Sequence, residues 1–241
     1  LLVIISVIFF VVLYACKHLP PEQPVILNPG GGGTGGGGTG GGTGSAVVCF
    51  QSEVLPIFQS NCAKSGCHDA TTHQEGYSLD SYDNLFKKEG KAEPKNIKPG
   101  SPADSKLYQV LFRTGNDRMP RPPNPELTAA QKNIIARWIT EGAKNTINCN
   151  TSCDSNQFKY SANIQPILQN HCTGCHSGVN PPNGINLTNY TNVKQVANSG
   201  LLYGVIAHLP GYNPMPKGSG KLSDCEIAQV RKWVNAGAQN D

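Results

Sequence analysis

Cys172-Thr173-Gly174-Cys175-His176 decides how this chain is read. Two thiols three positions apart, with an imidazole directly after the second, put two nucleophilic sulfurs and a metal-ligating nitrogen on one turn. That spacing is the attachment signature of a c-type haem. The thiols add across the two haem vinyl groups, and the His supplies the proximal iron ligand. A looser copy stands upstream: Cys62-Ala63-Lys64-Ser65-Gly66-Cys67-His68, with four residues between the cysteines. Taken alone, a C-x4-C pair also reads as a disulfide, or as half of a zinc site with His68 and His73.

Working outward, the surroundings of the two motifs repeat. Glu53-Val54-Leu55-Pro56-Ile57-Phe58-Gln59-Ser60-Asn61-Cys62 matches Asn163-Ile164-Gln165-Pro166-Ile167-Leu168-Gln169-Asn170-His171-Cys172. Gly76-Tyr77-Ser78-Leu79-Asp80-Ser81-Tyr82 matches Gly184-Ile185-Asn186-Leu187-Thr188-Asn189-Tyr190, and Leu107-Tyr108-Gln109-Val110 matches Leu202-Tyr203-Gly204-Val205. Met119-Pro120 matches Met215-Pro216. From Met to the next matched Leu is eight residues in the first copy and seven in the second; from that Leu to Trp138 or Trp233 is eleven in both. The repeat promotes the loose motif. Cys62, Cys67 and His68 hold the positions of Cys172, Cys175 and His176.

Each copy reads as helical. Val54, Leu55, Ile57 and Phe58 fit a helix of roughly two to three turns, with Pro56 tolerated near its start. Thr128-x-x-Gln131 and Ser223-x-x-Glu226 are capping boxes. Behind them Ile134, Ile135, Trp138 and Ile139 form one apolar face, and Ile227, Val230, Trp233 and Val234 the other. Gly142 and Gly237 are the expected C-terminal stops. The middles, 94–125 and 181–216, read as loop-rich, and nothing shows the alternation of a sheet. The fold class expected is all-α: two tandem helical domains, 47–149 and 150–241, each small and built around a large buried prosthetic group.

An iron that only carries electrons needs two axial ligands. Met215 follows His176 by 39 residues, and Met119 follows His68 by 51. These are the two Met residues of the chain. Each falls once per repeat, before a Pro that stiffens its loop. A thioether is a soft neutral donor that favours reduced iron. Core packing is the plainer role of a Met. The expected haem ligands are therefore His68 with Met119 and His176 with Met215. His73, His171 and His208 are spare, and His208 is a rival ligand or a surface residue. Arg118 and Arg121 flank the first Met and could neutralise a propionate or steer a partner.

The flanks speak to compartment. Residues 1–16 open with the apolar run LLVIISVIFFVVLYA, short for a membrane span of about 20 residues and suited to an export signal. Leu13-Tyr14-Ala15-Cys16 resembles the lipobox of a bacterial lipoprotein, which implies lipidation at Cys16; the other reading is a signal-anchor helix with Cys16 incidental. Residues 17–46 are Pro-rich, then almost pure Gly, and behave as a flexible tether. Formal charge is +4. Residues 47–147 carry 13 basic and 11 acidic side chains, and 153–241 carry 6 and 4. Neither stretch has the basic field of a nucleic-acid binder. Nine cysteines point to an oxidising compartment.

Together these residues resemble class I c-type cytochromes, and in detail the tandem Planctomycetes-type cytochrome c domains of Bacteroidota lipoproteins. The resemblance rests on Val54-Leu55-Pro56-Ile57-Phe58, the two Cys…Cys-His motifs, Asp117-Arg118-Met119-Pro120, Asn213-Pro214-Met215-Pro216 and the two closing segments. It covers about residues 47–241. It implies thioether-held haem, His and Met ligation, and N- and C-terminal helices that cross. The four cysteines left over, Cys49, Cys149, Cys153 and Cys225, allow three connectivities. In a fold whose terminal helices cross, Cys49–Cys149 and Cys153–Cys225 are the natural pairs. The expected function is a membrane-tethered dihaem cytochrome, with two covalent haem c groups. It would carry electrons between redox proteins or within a respiratory complex, at the periplasm or cell surface. The alternatives are a dihaem peroxidase or oxidase, which needs an open sixth iron position, and a haem-bearing accessory subunit.

Overall fold

The computed structural model describes residues 47–147, 149 and 153–241. The leader expected over 1–16, with Cys16, and the tether over 17–46 lie outside the described residues, as does most of the junction at 148–152. In chain order the first half holds α1 (Leu55–Asn61), α2 (Tyr82–Leu85), the two-residue strands β1 (Lys87–Lys88) and β2 (Lys91–Ala92), α3 (Lys106–Gln109) and α4 (Ala129–Thr140). The second half holds α5 (Gln165–His171), α6 (Tyr190–Asn198), α7 (Leu201–Ile206) and α8 (Asp224–Asn235). The class is helical. Among the described residues no helix is long and apolar enough to cross a membrane.

Pro56 and Pro166 sit in the first turns of α1 and α5, where a missing N–H costs nothing. One π-helical turn leads into each, Phe50–Val54 and Tyr160–Ile164. The closing helices α4 and α8 start on complete capping boxes, with Thr128 and Ser223 bonded reciprocally to Gln131 and Glu226. They end in Schellman turns. Ala143 N donates to Trp138 O and Gly142 N to Ile139 O; Ala238 N donates to Trp233 O and Gly237 N to Val234 O. Gly142 and Gly237 take φ of +97° and +91°, which a side chain would resist.

Two separate hydrophobic cores form, one from residues 48–143 and one from 160–238. Both are centred on the closing-helix Trp. Phe50 lies 5.2 Å from Trp138 and 5.2 Å from Tyr82, ring centre to ring centre. Tyr160 lies 5.6 Å from Trp233 and 5.0 Å from Tyr190. The Tyr82 hydroxyl donates to Ala143 O at 2.8 Å, and that of Tyr190 to Ala238 O at 2.7 Å. Trp138 Nε1 reaches Lys144 O and Trp233 Nε1 reaches Gln239 O. The same polar closure therefore seals both cores. Disulfides Cys49–Cys149 and Cys153–Cys225 are present, spanning 100 and 72 residues.

Two expectations are refined. The loop-rich stretch 181–216 also carries two helices: α6 starts on Asn189, whose side chain accepts from Asn192 N at 3.0 Å, and α7 follows after the left-handed Gly200. Sheet is not wholly absent either. β1 and β2 form a hairpin, Lys87 opposite Ala92, about Glu89-Gly90, both at positive φ. Two positive φ values make the turn whose twist suits paired strands; Glu-Gly in place of Asn-Gly hides it in the sequence.

Candidate functional site

In the second half, α5 delivers Cys172 at its C-terminal end, where Cys172 N and Thr173 N both donate to Leu168 O. The motif then winds round its own first carbonyl: Cys175 N and His176 N donate to Cys172 O at 3.1 and 2.9 Å. His176 Nδ1 donates to Ile185 O at 3.0 Å. That bond assigns the proton to Nδ1 and leaves the Nε2 lone pair for a metal. Leu187 N donates to His176 O at 2.8 Å and closes the loop.

The first half repeats this wiring around its longer loop. His68 N donates to Cys62 O at 3.1 Å, His68 Nδ1 to Tyr77 O at 3.1 Å, and Leu79 N to His68 O at 2.8 Å. The two extra residues form a bulge in which Cys67 N turns back onto Lys64 O at 2.9 Å. Asp69 holds the bulge. Its carboxylate accepts from the backbone N of Thr72, Thr71 and Gly66. Chiefly the Thr72 bond, with the others and against a desolvation effect that raises it, keeps its pKa down to about 2. The bulge therefore leaves the Cys62 and His68 ends of the motif related as in the shorter copy.

The two methionines are held alike. Met119 N donates to Val110 O at 2.9 Å and Met215 N to Val205 O at 3.0 Å. The Met119–Pro120 and Met215–Pro216 bonds are both cis. His208, weighed as a rival ligand, instead donates through Nε2 to Met215 O at 3.1 Å and so props the methionine loop.

A cavity of about 1000 Å³ gathers Cys172, Cys175, His176 and Met215 on one wall set, with Leu202 and Ile206 among its apolar lining. This volume, donor set and lining fit a haem. A smaller cavity of about 220 Å³ brings His68 and Met119 together with Leu79, Leu107 and Leu111, but neither Cys62 nor Cys67 is on its wall. Its donors fit a haem; its volume lies under the ~300–1000 Å³ usual for ligand sites. Lys106 is one reason, since its Nζ lies 3.2 Å from the Tyr77 hydroxyl and 4.8 Å over the ring, within the cavity lining.

Cys62, Cys67, Cys172 and Cys175 are free thiols. Burial pushes the Cys62 thiol up to about 12, against a lowering by Lys64, and pushes Cys172 up to about 12 with help from Cys175. Both first cysteines are thus neutral thiols. The zinc reading of the first motif finds no support in the arrangement: among the described residues no three His, Cys, Asp or Glu side chains cluster as a metal group.

His171, next to the second motif, pairs with Glu226 of the capping box at 3.0 Å. Burial pushes Glu226 up, yet the bonds from His171 and Ser223 outweigh it and hold its pKa below the ordinary value. Arg121 lines the first cavity. Arg118 turns away, donating to Asn124 O at 3.1 Å with its Nε 3.7 Å from Glu126. Trp138 and Trp233 line neither cavity. Sequence reasoning missed Asp69, the Tyr82 and Tyr190 hydroxyls and the carbonyls that orient the two imidazoles; only the tyrosines left a signal, by recurring in the repeat.

No curated protein and no solved structure matches the chain. Residues 65–123, about a quarter of it, match the family described as Planctomycete cytochrome C. The matched segment holds Cys67, His68 and Met119, so the first half contains a cytochrome c-like domain, of the kind that holds haem c covalently and carries electrons.

Proposed function

We propose that the protein is a dihaem c-type cytochrome: two tandem cytochrome c domains on a flexible leash, anchored through a lipidated Cys16, carrying electrons between exported redox partners. One observation carries the reading. Both halves orient a motif His by Nδ1 on a backbone carbonyl and hold a Met loop by one matching bond, so that each His shares a cavity with one Met. A bound haem supplies a one-electron iron couple. The chain's own residues do the rest. Cys62 with Cys67, and Cys172 with Cys175, are the attachment thiols. His68 and His176 would bind through Nε2, and Met119 and Met215, which line the same cavities, through sulfur. Were His and Met both to bind the iron in each half, no position on the metal would be left for a substrate, which would suit a carrier rather than a peroxidase.

The membrane and partner parts rest on the sequence: the apolar leader, the lipobox-like Leu13-Tyr14-Ala15-Cys16 and the Gly-rich stretch. The test is intact mass with a pyridine haemochrome assay on the exported protein. Two haems per chain are expected, with low-spin spectra in both oxidation states. One haem, or a high-spin five-coordinate signal from either oxidised iron, would sink the proposal.

A further inference from the structure

Helix α5 ends with carbonyls that have no partner inside the helix, as every helix does. Here Leu168 O is met by Cys172 N and Thr173 N and Gln169 O in part by Thr173 Oγ1 at 3.3 Å, and two carbonyls are met from the other half of the chain. Ser60 Oγ donates to Asn170 O at 2.7 Å and Gln131 Nε2 to Gln169 O at 2.9 Å. Lys64 Nζ reaches past the helix to Gly174 O, inside the second motif, at 3.0 Å. Helices α1 and α5 pack directly on each other.

Gly174 shows how close this fit is. Its backbone is not left-handed, so glycine is not needed there for conformation. A Cβ on it would overlap the Ser60 carbonyl and come within 2.9 Å of Asn61 Oδ1. Gly66, the equivalent residue of the first motif, has a φ of +83° and open space around it. The two glycines therefore serve opposite needs: Gly66 a turn, Gly174 a contact. The capping boxes diverge in the same sense. Glu226 folds back onto His171 of its own half, while Gln131, at the matching position, reaches across.

The large cavity crosses this joint. Ser52, Leu55, Pro56 and Gln59 of the first half line the same space as His176 and Met215. Ser52 Oγ is buried there without a partner.

We propose that the first half is a built part of the second haem site: it caps the helix that carries the second attachment loop and supplies one wall of that crevice. The proposal rests on reading Cys172, Cys175, His176 and Met215 as a haem site. Gly174, Ser60 and Gln131 are positioning residues, acting through the loop and not on the iron.

The test uses the full, haem-loaded chain with Gly174→Ala and, separately, Gln131→Glu. The second variant gives the first half the acid that Glu226 already is, keeps the capping box and removes the N–H that reaches Gln169. It should retain wild-type haem content. In both variants the amides of 170–176 should exchange at least about tenfold faster. One of the two reduction midpoints should fall while the other stays, because water admitted to an opened crevice favours the charged, oxidised iron. Wild-type exchange and midpoints in both variants would overturn the proposal. So would faster exchange with unmoved midpoints, which leaves a joint that is no part of the haem site. A wild-type chain with its one haem on Cys62 and Cys67 would overturn the proposal together with the reading it rests on; one haem on Cys172 and Cys175 strikes the dihaem reading alone, and the exchange comparison with the single midpoint still decides the joint.

Discussion

Replacing Glu226 by Gln isolates one charge at the root of the second motif. The carboxylate accepts from Ser223 N at 3.0 Å, Ser223 Oγ at 2.7 Å and His171 Nε2 at 3.0 Å. Gln131 shows that an amide at this position still makes the box, taking Thr128 N at 2.9 Å. So the substitution keeps the cap and removes the charge from the His171 contact. His171 and Glu226 are only 8% and 17% exposed, so solvent screens the pair little, and a hydrogen bond to a charged group is worth about 1.5–3 kcal/mol. A loss of about that size is expected at neutral pH, read as a lower urea midpoint with unchanged slope. The pH dependence gives the sharper check. The folded-state pKa of Glu226 lies below its ordinary 4.5. Its contribution is then complete above that value and drains away as pH falls through the folded pKa. The gap between variant and parent should therefore close in acid. A gap that persists unchanged through acid, or none at neutral pH, would refute the reasoning.

Three further outcomes follow from the two halves. Met119→Ala and Met215→Ala should each leave two haems attached but lower one midpoint, by something on the order of 0.1 V within the roughly 0.8 V that axial ligands span; a midpoint that does not move removes that Met from the iron. Replacing Cys49 and Cys149 together by Ser opens a 100-residue loop and should cost about 2–5 kcal/mol of unfolding free energy, and equal urea midpoints would count against it. Tyr82→Phe and Tyr190→Phe each remove one hydroxyl bond to the closing turn and should each cost about 0.5–1.5 kcal/mol, so a loss in one half only would show that the two seals are not equivalent.

The parts legible in the sequence were those fixed by local chemistry or by recurrence. Capping boxes name their own partners three residues away, and Thr128 with Gln131 and Ser223 with Glu226 closed as written. The stops at Gly142 and Gly237 were equally local. That His68 and Met119 line one cavity, and His176 and Met215 another, could be anticipated because each of these residues recurs at a matched place. What stayed hidden was non-local or used unusual residues. Helix α7 starts on a left-handed Gly, and the β1–β2 turn uses Glu89-Gly90. The joint at Ser60 and Gly174 joins residues 114 positions apart, and no spacing rule reaches that far. Nor could composition foresee that Asp69, an acid in a loop of small residues, would organise the longer motif.

The Cys49–Cys149 bond brings the two ends of the first half together, with Cα atoms 5.8 Å apart. Four residues further on, Cys153 begins the second bridge, to Cys225. A pull applied along the chain at residue 47 and resisted by the second half would therefore run through sulfur at Cys49 and leave at Cys149. The loop that holds the first core would stay closed under that load. A pull from the N-terminal side would thus not draw the two ends of the first half apart.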